Sequence, residues 1–406
     1  MINNKLDTKK IVFHLGIVIL LISSLGNYYT QFLLIPIALY YLYKPEYLMS
    51  LLFISAINTG MFYLVQGISL FVLFFSVYLI SFIMRKRKMQ WKSIVTYLFF
   101  NIVVFISAYN SITGDLSGYY TFLICTTMLL LFYNETINIS VLLDLLYICA
   151  RYFLIFIVLL LLITFSVGQK NVMGFNVNLI SYATIVCTIY CLGYNLLVLK
   201  KINFIYVFIG FISVIFLGSR GSLFSGVIIS AVIFLKSDNK NKFIIPMLLI
   251  AILPVIGILL SETVINRFDI NNFIESGASG RFVLWEIVVS YIVRNNNVLF
   301  GIGYGGNNIR KIVAEGYNGV SLDADCLYVD LFGQMGIFGI ILLILFLKRV
   351  IKSDKRCLLN NSLIFLSLLV GIGESMLDWN LFWFIIAFAF LNMHAISSNS
   401  KTIVHI

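Results

Sequence analysis

Charged residues are scarce in this chain of 406 residues. Asp, Glu, Lys and Arg together make up 11% of the sequence, whereas 61% of the residues are hydrophobic. A soluble domain carries about 25% charged residues and about 45–50% apolar ones. A single globule cannot bury so much apolar surface, so lipid must be the solvent for most of it. The composition therefore predicts an integral membrane protein.

Several other signals are missing as well. No small-residue cleavage site follows the first apolar block, which we therefore interpret as a retained helix. The six cysteines show neither metal-ligand flanks nor a disulfide framework. The three histidines, His14, His394 and His405, all fall near predicted cytoplasmic ends. We therefore expect no metal and no other cofactor, and no histidine base on the outer face.

Apolar blocks fill most of the chain, and many approach the roughly 20 residues that a helix needs to cross a bilayer. They predict an all-α, polytopic membrane protein with about 12–14 transmembrane helices. If each block crosses the membrane in turn, most of the 28 Lys and Arg residues fall on one side of it. They lie in the segments between blocks, such as 85–92, 236–242 and 348–356. The positive-inside rule makes that side cytoplasmic, together with both termini.

This topology divides the chain into four segments. Residues 1–200 form N-terminal transmembrane helices, and 201–260 form helices that carry a Ser-Arg-Gly junction. Residues 261–325 form one large extracytoplasmic loop, and 326–406 form the C-terminal transmembrane helices. The long loop is rich in charge, including arginines that the orientation rule disfavours on the outer side. A long charged loop on a minimal membrane protein is where chemistry or binding is expected.

Within this loop, residues 281–294 predict a short interfacial helix, because about 12 apolar residues cannot span a bilayer. Glu286 and Arg294 recur on one helical face and are either a groove lining or a solvated stripe. Ser279 and Gly280 are plausible caps. The glycine-rich run 300–307 either cradles a phosphate with its N–H groups or forms a simple turn.

Three further residues have a functional and a structural interpretation. Arg220 lies between small residues at the predicted outer mouth of two helices, where it either binds an anion or only anchors a helix end. Asp323 and Asp325 precede a predicted helix, where a carboxylate is favoured by the helix N-terminus. By position alone, Asp325 is a helix cap.

Taken in order, these motifs resemble the O-antigen ligase and Wzy-type polysaccharide polymerase family. The matching residues are Ser219-Arg220-Gly221, Gly280-Arg281 with Trp285, Leu299-Phe300-Gly301-Ile302-Gly303, and Asp325 with Tyr328 and the Gly336/Gly339 pair. The resemblance is strongest over residues 210–345. The N-terminal half is similar only in its hydropathy.

The resemblance implies a membrane glycosyltransferase that uses undecaprenyl-diphosphate-linked sugars on the outer side of the bacterial cytoplasmic membrane. A polymerase moves a growing O-antigen or capsular glycan onto the terminal sugar of a new lipid-linked repeat unit, whereas a ligase moves it onto lipid A core. Arg220 and Arg281 match the arginines that engage the diphosphate. Ligases usually have His-Asn where this chain has Asp325-Cys326, and this departure argues against a ligase.

The residues fit such chemistry. Arginine binds phosphate oxygens through a fork of donors and keeps its charge. A carboxylate near the attacking hydroxyl accepts its proton, with Asp325 as first choice and Asp323 as second. Direct displacement inverts the anomeric centre, and Glu286 and Arg294 are candidates for an acceptor groove. Expected partners are the lipid-linked oligosaccharide, membrane lipid, a chain-length regulator and a flippase, with no nucleic acid.

A transporter, such as a lipid-linked oligosaccharide flippase, is the competing class. It should show ionisable residues near mid-membrane and internal repeats. Asp144 and Arg151 are the main candidates for such residues, and they also fit a simple pair near the cytoplasmic end. No repeat is apparent. A purely structural role is disfavoured by the charged outer loop.

Overall fold

A computed structural model describes residues 8–23, 32–57, 63–65, 68–166, 177–200, 205–236, 280–316, 324–351, 358–377 and 379–398. The helices in these ranges are α1 (Thr8–Ser23), α2 (Leu34–Tyr40), α3 (Pro45–Ile57), α4 (Leu70–Met84), α5 (Trp91–Tyr109), α6 (Ser117–Asn134), α7 (Ile139–Ser166), α8 (Val177–Gly193), α9 (Ile205–Leu217), α10 (Arg220–Lys236), α11 (Arg281–Arg294), α12 (Gly306–Gly316), α13 (Leu327–Val350), α14 (Leu358–Val370) and α15 (Asn380–Ser398). A π-helical turn, Tyr194–Val198, extends α8, and a small antiparallel hairpin of β1 (Tyr63–Val65) and β2 (Ile68–Ser69) precedes α4.

Four helices in the described ranges are long and apolar enough to cross a membrane. They cover Trp91–Tyr109, Ile139–Thr164, Val177–Val198 and Leu327–Lys348. Shorter apolar helices cover Pro45–Ile57, Leu70–Met84, Ile205–Leu217, Leu358–Val370 and Asn380–Leu391. The prediction of an all-α polytopic membrane protein is confirmed, while the number of about 12–14 crossings stays a prediction.

Helix α8 is the centre of the bundle. It packs against α7, α9, α10 and α14, and 83% of its span is buried. Helix α5, by contrast, packs mainly on α6 and has only 17% of its span buried. Its outward face carries large apolar side chains, such as Phe99 and Ile102, which suits contact with lipid.

A second, smaller apolar core lies beside the bundle. Helices α11 and α12 pack against each other and against the start of α13. This core is formed by the buried side chains of Leu284, Val288, Ile292, Ile302, Ile309, Ile312, Val313 and Ala324. The interfacial helix predicted at residues 281–294 is therefore present with those bounds, and Gly280 is its N-cap, with φ +81°. Ser279 lies outside the described residues.

Helix α13 contains a kink at Gly336, whose φ of +63° and ψ of −156° are not helical. The turn between α11 and α12 fits into this kink. The N–H groups of Ile337 and Phe338 donate to the carbonyls of Val298 and Leu299, at 2.9 and 3.1 Å. A side chain at residue 336 would collide with the backbone of Leu299, so the kink requires glycine.

Candidate functional site

Arg281, the first residue of α11, is flanked by two carboxylates from distant parts of the chain. Its Nη2 lies 3.2 Å from Oε1 of Glu374, and its Nε lies 3.8 Å from Oδ2 of Asp325. The side chain of Asp325 is 45% exposed, whereas that of Glu374 is only 11% exposed. Gly373 leaves room for the guanidinium, because a Cβ there would lie 3.0 Å from Nη1. We call these three side chains the Arg281 cluster, and the end of the bundle that carries it the site end.

Asp325 lies in a tight turn just before α13. Its φ of +50° belongs to the left-handed region, which Asp tolerates better than most residues. The turn is fixed on both sides: Trp285 Nε1 donates to the carbonyl of Ala324 at 2.8 Å, and the N–H of Leu327 donates to Gly371 at 2.8 Å. The second bond joins the turn to the loop that carries Glu374.

Glu374 lies in the loop between α14 and α15. Burial raises the pKa of Glu374 from its ordinary value of 4.5 to about 7, and the nearby Asp325 adds to this rise. The positive charge of Arg281 and hydrogen bonds from Asn178 and Arg281 act in the opposite direction. The rise prevails because the cost of taking the carboxylate out of water exceeds the stabilisation from a single arginine.

Arg220 begins α10, directly after the turn at Gly218, whose φ is +72°. Gly226 of α10 lies against Ile185 of α8, and farther along the chain Ile233 of α10 lies against Gly193 of α8. Residue numbers therefore increase in the same direction along both helices, so α10 runs parallel to α8. Arg220 precedes Gly226 by six residues, so it lies beside the first residues of α8. Asn178, which contacts Glu374, is one of these residues. Arg220 therefore lies at the site end, half-buried.

The other predicted site residues lie elsewhere or outside the described residues. Glu286 and Arg294 are exposed on α11, away from its buried face. Arg294 is 13 residues from Arg281, which is about 20 Å along a helix. Asp323 lies outside the described residues. The acceptor-groove role of Glu286 and Arg294 and the base role of Asp323 stay predictions.

The glycine-rich run 300–307 is a structural turn. The N–H groups of Ile302 and Gly303 donate to the carbonyls of Gly333 and Gln334, and that of Gly305 donates to Oε1 of Gln334. The N–H of Tyr304 donates to Oγ of Ser107. These donors bind the kinked α13 and the end of α5, so they do not form a phosphate cradle. Of the two interpretations left open by the sequence, the structure supports the turn.

Asp144 and Arg151, the candidates for a transport pathway, have aromatic partners. Tyr194 donates a hydrogen bond from its hydroxyl to Asp144. The guanidinium of Arg151 lies 4.6 Å from the ring centroid of Tyr206 and 5.5 Å from that of Tyr147. Such cation–π contacts stabilise an arginine within a bundle without a carboxylate. The arrangement gives no support to a chain of proton-carrying groups.

An apolar groove of about 780 Å³ lies between α5 and α6 on one side and α13 and α15 on the other. At the site end it is lined by Leu327 and Leu377, close in sequence to Asp325 and Glu374. At the opposite end it is lined by Trp91 and Lys92. Helix α13, with its kink at Gly336, lines the groove from Leu327 to Phe346, a stretch that would span about 29 Å as a straight helix. The groove thus has roughly the thickness of a bilayer's hydrocarbon core, about 30 Å.

The fold and the Arg281 cluster define a helical membrane protein with a cationic, carboxylate-flanked site at one end of its bundle. Residues 205–344, about a third of the chain, match the family described as O-antigen ligase (Wzy_C). The predicted resemblance is confirmed for this part of the chain, which is similar to the O-antigen ligase family. Members of this family are membrane glycosyltransferase-like ligases and polymerases, which the match does not distinguish. No curated protein matches the chain.

The matched region includes Arg220, Arg281 and Asp325 but ends before Glu374. Sequence reasoning named the first three and did not assign Glu374 to the site. The only sequence signal for Glu374 was its place in a short loop on the predicted outer side.

Proposed function

We propose that this protein is a polysaccharide polymerase of the bacterial cytoplasmic membrane. It transfers a growing O-antigen or capsular glycan from undecaprenyl diphosphate to the terminal sugar of an incoming lipid-linked repeat unit. The site end faces outward, and both termini face the cytoplasm. The observation that carries the proposal is Arg281, which is held between two carboxylates, Asp325 and Glu374, that lie two and three residues from the groove-lining Leu327 and Leu377.

The groove supports a substrate with a long apolar tail. Its walls come mainly from Leu, Phe and other apolar side chains, such as Leu331, Leu342 and Phe390. A polyprenyl chain in it would leave water and lipid for a packed apolar surface, and its diphosphate would then emerge beside Arg281. A substrate without a lipid tail gives no reason for a groove of this length.

The two arginines suit a diphosphate leaving group. A guanidinium offers several N–H donors in a fixed plane and stays charged at any physiological pH. Negative charge grows on the diphosphate oxygens as the sugar departs, and Arg220 and Arg281 stabilise that charge. No metal ion is required for this role. Attack from the opposite face of the anomeric carbon inverts its configuration.

The attacking hydroxyl must lose its proton to a nearby base. The Arg281 cluster offers carboxylates for this step, and Asp325 is the candidate that the sequence names. Its exposed position and its place beside Arg281 support contact with a sugar hydroxyl. Asp325→Asn should stop formation of long chains if Asp325 is the base, whereas Asp323→Asn should leave chain length normal.

The ligase of the same family is the second candidate function, because the family match includes both ligases and polymerases. The two proposals differ in the acceptor: a lipid-linked repeat unit for the polymerase and lipid A core for the ligase. The chain has Asp325-Cys326 in place of the His-Asn pair, which supports the polymerase. A flippase has less support, because Asp144 and Arg151 are bound to aromatic partners.

Deletion of the gene and electrophoresis of the surface polysaccharide test these functions. Loss of a polymerase leaves single repeat units on the surface, loss of a ligase leaves long chains on the lipid carrier, and loss of a flippase leaves units inside the cell. Arg220→Ala and Arg281→Ala should each fail to restore long chains in the deletion strain. Lys311→Ala is the matched control, because Lys311 is exposed on α12. Normal chain length in either arginine variant would remove that residue from the site.

Orientation has its own test. A single cysteine placed at Lys311, in a variant without the native cysteines, should react with a membrane-impermeant maleimide added to intact spheroplasts. A cysteine placed at Lys88 should react only after lysis. The reverse pattern would place the site end in the cytoplasm, where the proposed substrates are not presented.

A further inference from the structure

Glu374 is the most enclosed carboxylate of the Arg281 cluster, and it lies beyond the matched family region. We propose that Glu374, rather than Asp325, accepts the proton of the attacking sugar hydroxyl. This inference rests on the proposed glycosyl transfer and names the base for that reaction. Asp325 is then a positioning residue that orients Arg281 and the acceptor.

The geometry places Glu374 where the reacting groups must meet. Its Oε1 lies 3.2 Å from Nη2 of Arg281, and Asn178 binds its carboxylate from the start of α8. In the proposed reaction, Arg281 binds the leaving diphosphate. A base in direct contact with Arg281 is therefore also close to the anomeric carbon that bears the diphosphate. The side chain of Glu374 is 11% exposed, so it is enclosed but not sealed from an approaching substrate.

The loop that carries Glu374 is firmly placed. The N–H of Leu327 donates to Gly371, and Trp383 Nε1 donates to the carbonyl of Leu377 at 2.7 Å. These bonds join the loop to the turn of Asp325 on one side and to α15 on the other. A base must keep its position through the reaction, because small displacements cost large factors in rate.

The proposed step is balanced as follows. The hydroxyl oxygen of the acceptor sugar forms a bond to the anomeric carbon of the donor, and the bond from that carbon to the diphosphate oxygen breaks. Undecaprenyl diphosphate departs with the bonding electron pair. The hydroxyl proton moves to the carboxylate of Glu374 and is later released to water. No oxidant, reductant or further reactant takes part.

The electrostatics of the cluster support this assignment. A carboxyl with a pKa of about 7 is a much stronger base than an ordinary carboxylate, and near neutral pH half of it is already ionised. The charged groups that face Glu374 in the described residues are Arg281, which lowers its pKa, and Asp325, which raises it. When a diphosphate takes up the charge of Arg281, the pKa of Glu374 rises further. Binding of the donor therefore strengthens the base.

The test uses the purified full chain in lipid vesicles and lipid-linked repeat units extracted from the deletion strain. Turnover and KM are measured between pH 5 and 9 for the wild type, Glu374→Gln, Glu374→Asp and Asp325→Asn. The wild type should lose kcat/KM below about pH 7, because Glu374 is then protonated. Glu374→Gln should lose about 100- to 10,000-fold in kcat, the usual contribution of a general base. Asp325→Asn should lose less turnover. It should keep the acid limb, the fall in kcat/KM at low pH, but at a somewhat lower pH, because Asp325 raises the pKa of Glu374.

Two further measurements separate a base from a structural partner of Arg281. Glu374→Gln can still hydrogen-bond to Arg281, so its affinity for undecaprenyl diphosphate should change by less than about threefold, well under the tenfold that 1.4 kcal/mol represents. Glu374→Asp should retain part of the turnover, with its acid limb displaced. In the wild type, the infrared band of a protonated carboxyl should disappear around pH 7, and this change should be absent in Glu374→Gln.

Several results would overturn the inference. It is wrong if Glu374→Gln keeps turnover within about threefold of the wild type, or if the acid limb disappears in Asp325→Asn but persists in Glu374→Gln. If Glu374→Gln does not fold, the pH profile of Glu374→Asp replaces it as the test. An acid limb at the same pH as in the wild type then counts against the inference. If the wild type makes no polymer from lipid-linked units, the proposed function fails with it. That result is visible before any variant is assayed.

Discussion

Two arginine–glutamate contacts lie at opposite ends of this protein, and they are built differently. At the end opposite the site, Arg85 binds Glu135 with both arms of its guanidinium, at 2.7 and 2.8 Å. Tyr78 donates to the same carboxylate at 2.9 Å, and the side chain of Glu135 is completely buried. This contact joins the end of α4 to the link between α6 and α7.

The Arg281 cluster is the open counterpart. In the described part of the chain, Arg281 makes one hydrogen bond to Glu374, and its second carboxylate, Asp325, is 3.8 Å away and half exposed. A guanidinium has five N–H donors, so most of its binding capacity remains available for a ligand. The comparison separates two uses of one residue pair: a saturated pair that holds helices together and an unsaturated pair that is suited to binding.

The largest effect is expected from breaking the saturated pair. Arg85→Ala removes the bidentate partner of the buried Glu135 and leaves Arg87, whose Nε lies 3.4 Å from Oε1. Breaking a buried ion pair typically costs about 3–5 kcal/mol of stability, and the remaining Arg87 places the expected loss at the lower end of that range. The melting temperature of the purified protein should fall strongly, while turnover per folded molecule stays near the wild-type value. Lys88→Ala, at an exposed position in the link between α4 and α5, should melt like the wild type.

The double variant Arg85→Met with Glu135→Leu checks the interpretation of that loss. Replacing both charged partners by apolar side chains removes the uncompensated charge and should recover most of the lost stability. If the double variant is as unstable as Arg85→Ala, the loss comes from packing rather than from the buried charge.

Breaking the open pair should affect chemistry rather than folding. In the proposed reaction, Arg281→Ala removes the group that would stabilise charge on the leaving diphosphate, and we expect a loss of about 100- to 1,000-fold in kcat. Its melting temperature should change far less than that of Arg85→Ala. If Arg281→Ala were strongly destabilised but fully active, Arg281 would have the same structural role as Arg85, and the distinction between the two contacts would be wrong.

The pH dependence of stability sharpens the contrast further. The pKa of Glu374 is raised from 4.5 to about 7 in the folded protein, so its contribution to stability is fully present below pH 4.5 and is lost as pH rises towards 7. Glu374→Gln has no such loss. Between pH 4.5 and 7, the free energy of unfolding of this variant should therefore rise relative to that of the wild type by about 3 kcal/mol, and its relative melting temperature should rise accordingly. A difference that stays constant with pH would contradict the raised pKa.

The smallest effect is expected at the support of the Asp325 turn. Trp285→Phe keeps the aromatic ring but removes the N–H that binds the carbonyl of Ala324. Loss of one such hydrogen bond is worth about 1 kcal/mol, or roughly fivefold in kcat/KM if the turn shifts. Tyr109→Phe, which also removes one polar group from an aromatic side chain, serves as the control and should have no effect, because Tyr109 is 68% exposed and lies outside the groove lining.

The sequence predicted those parts of the molecule that depend on local patterns. Apolar blocks predicted the helical membrane fold, and a polar stripe with Gly280 predicted α11 with its observed bounds. Arg281 and Asp325 were named from short motifs, and the structure brings them together. Local spacing was sufficient there, because each motif lies at the start of a helix.

Tertiary contacts were beyond sequence reasoning. Glu374 lies 93 residues from Arg281, and no spacing rule joins a loop residue to a helix start at that separation. The role of the run 300–307 depended on the kink at Gly336, since only a broken helix offers carbonyls to the N–H groups of Ile302 and Gly303. Asp144 and Arg151 likewise found aromatic partners on helices α8 and α9 instead of each other.

The Arg281 cluster draws its three members from three separate stretches of the polypeptide, and Asn178 in α8, which contacts Glu374, comes from a fourth. During biosynthesis these stretches leave the ribosome one after another, and the last of them reaches the bilayer only with the α14–α15 hairpin. Before that hairpin inserts, Arg281 has no Glu374 to contact. A nascent or prematurely terminated product therefore lacks the complete Arg281 cluster, even when all the earlier helices have integrated correctly.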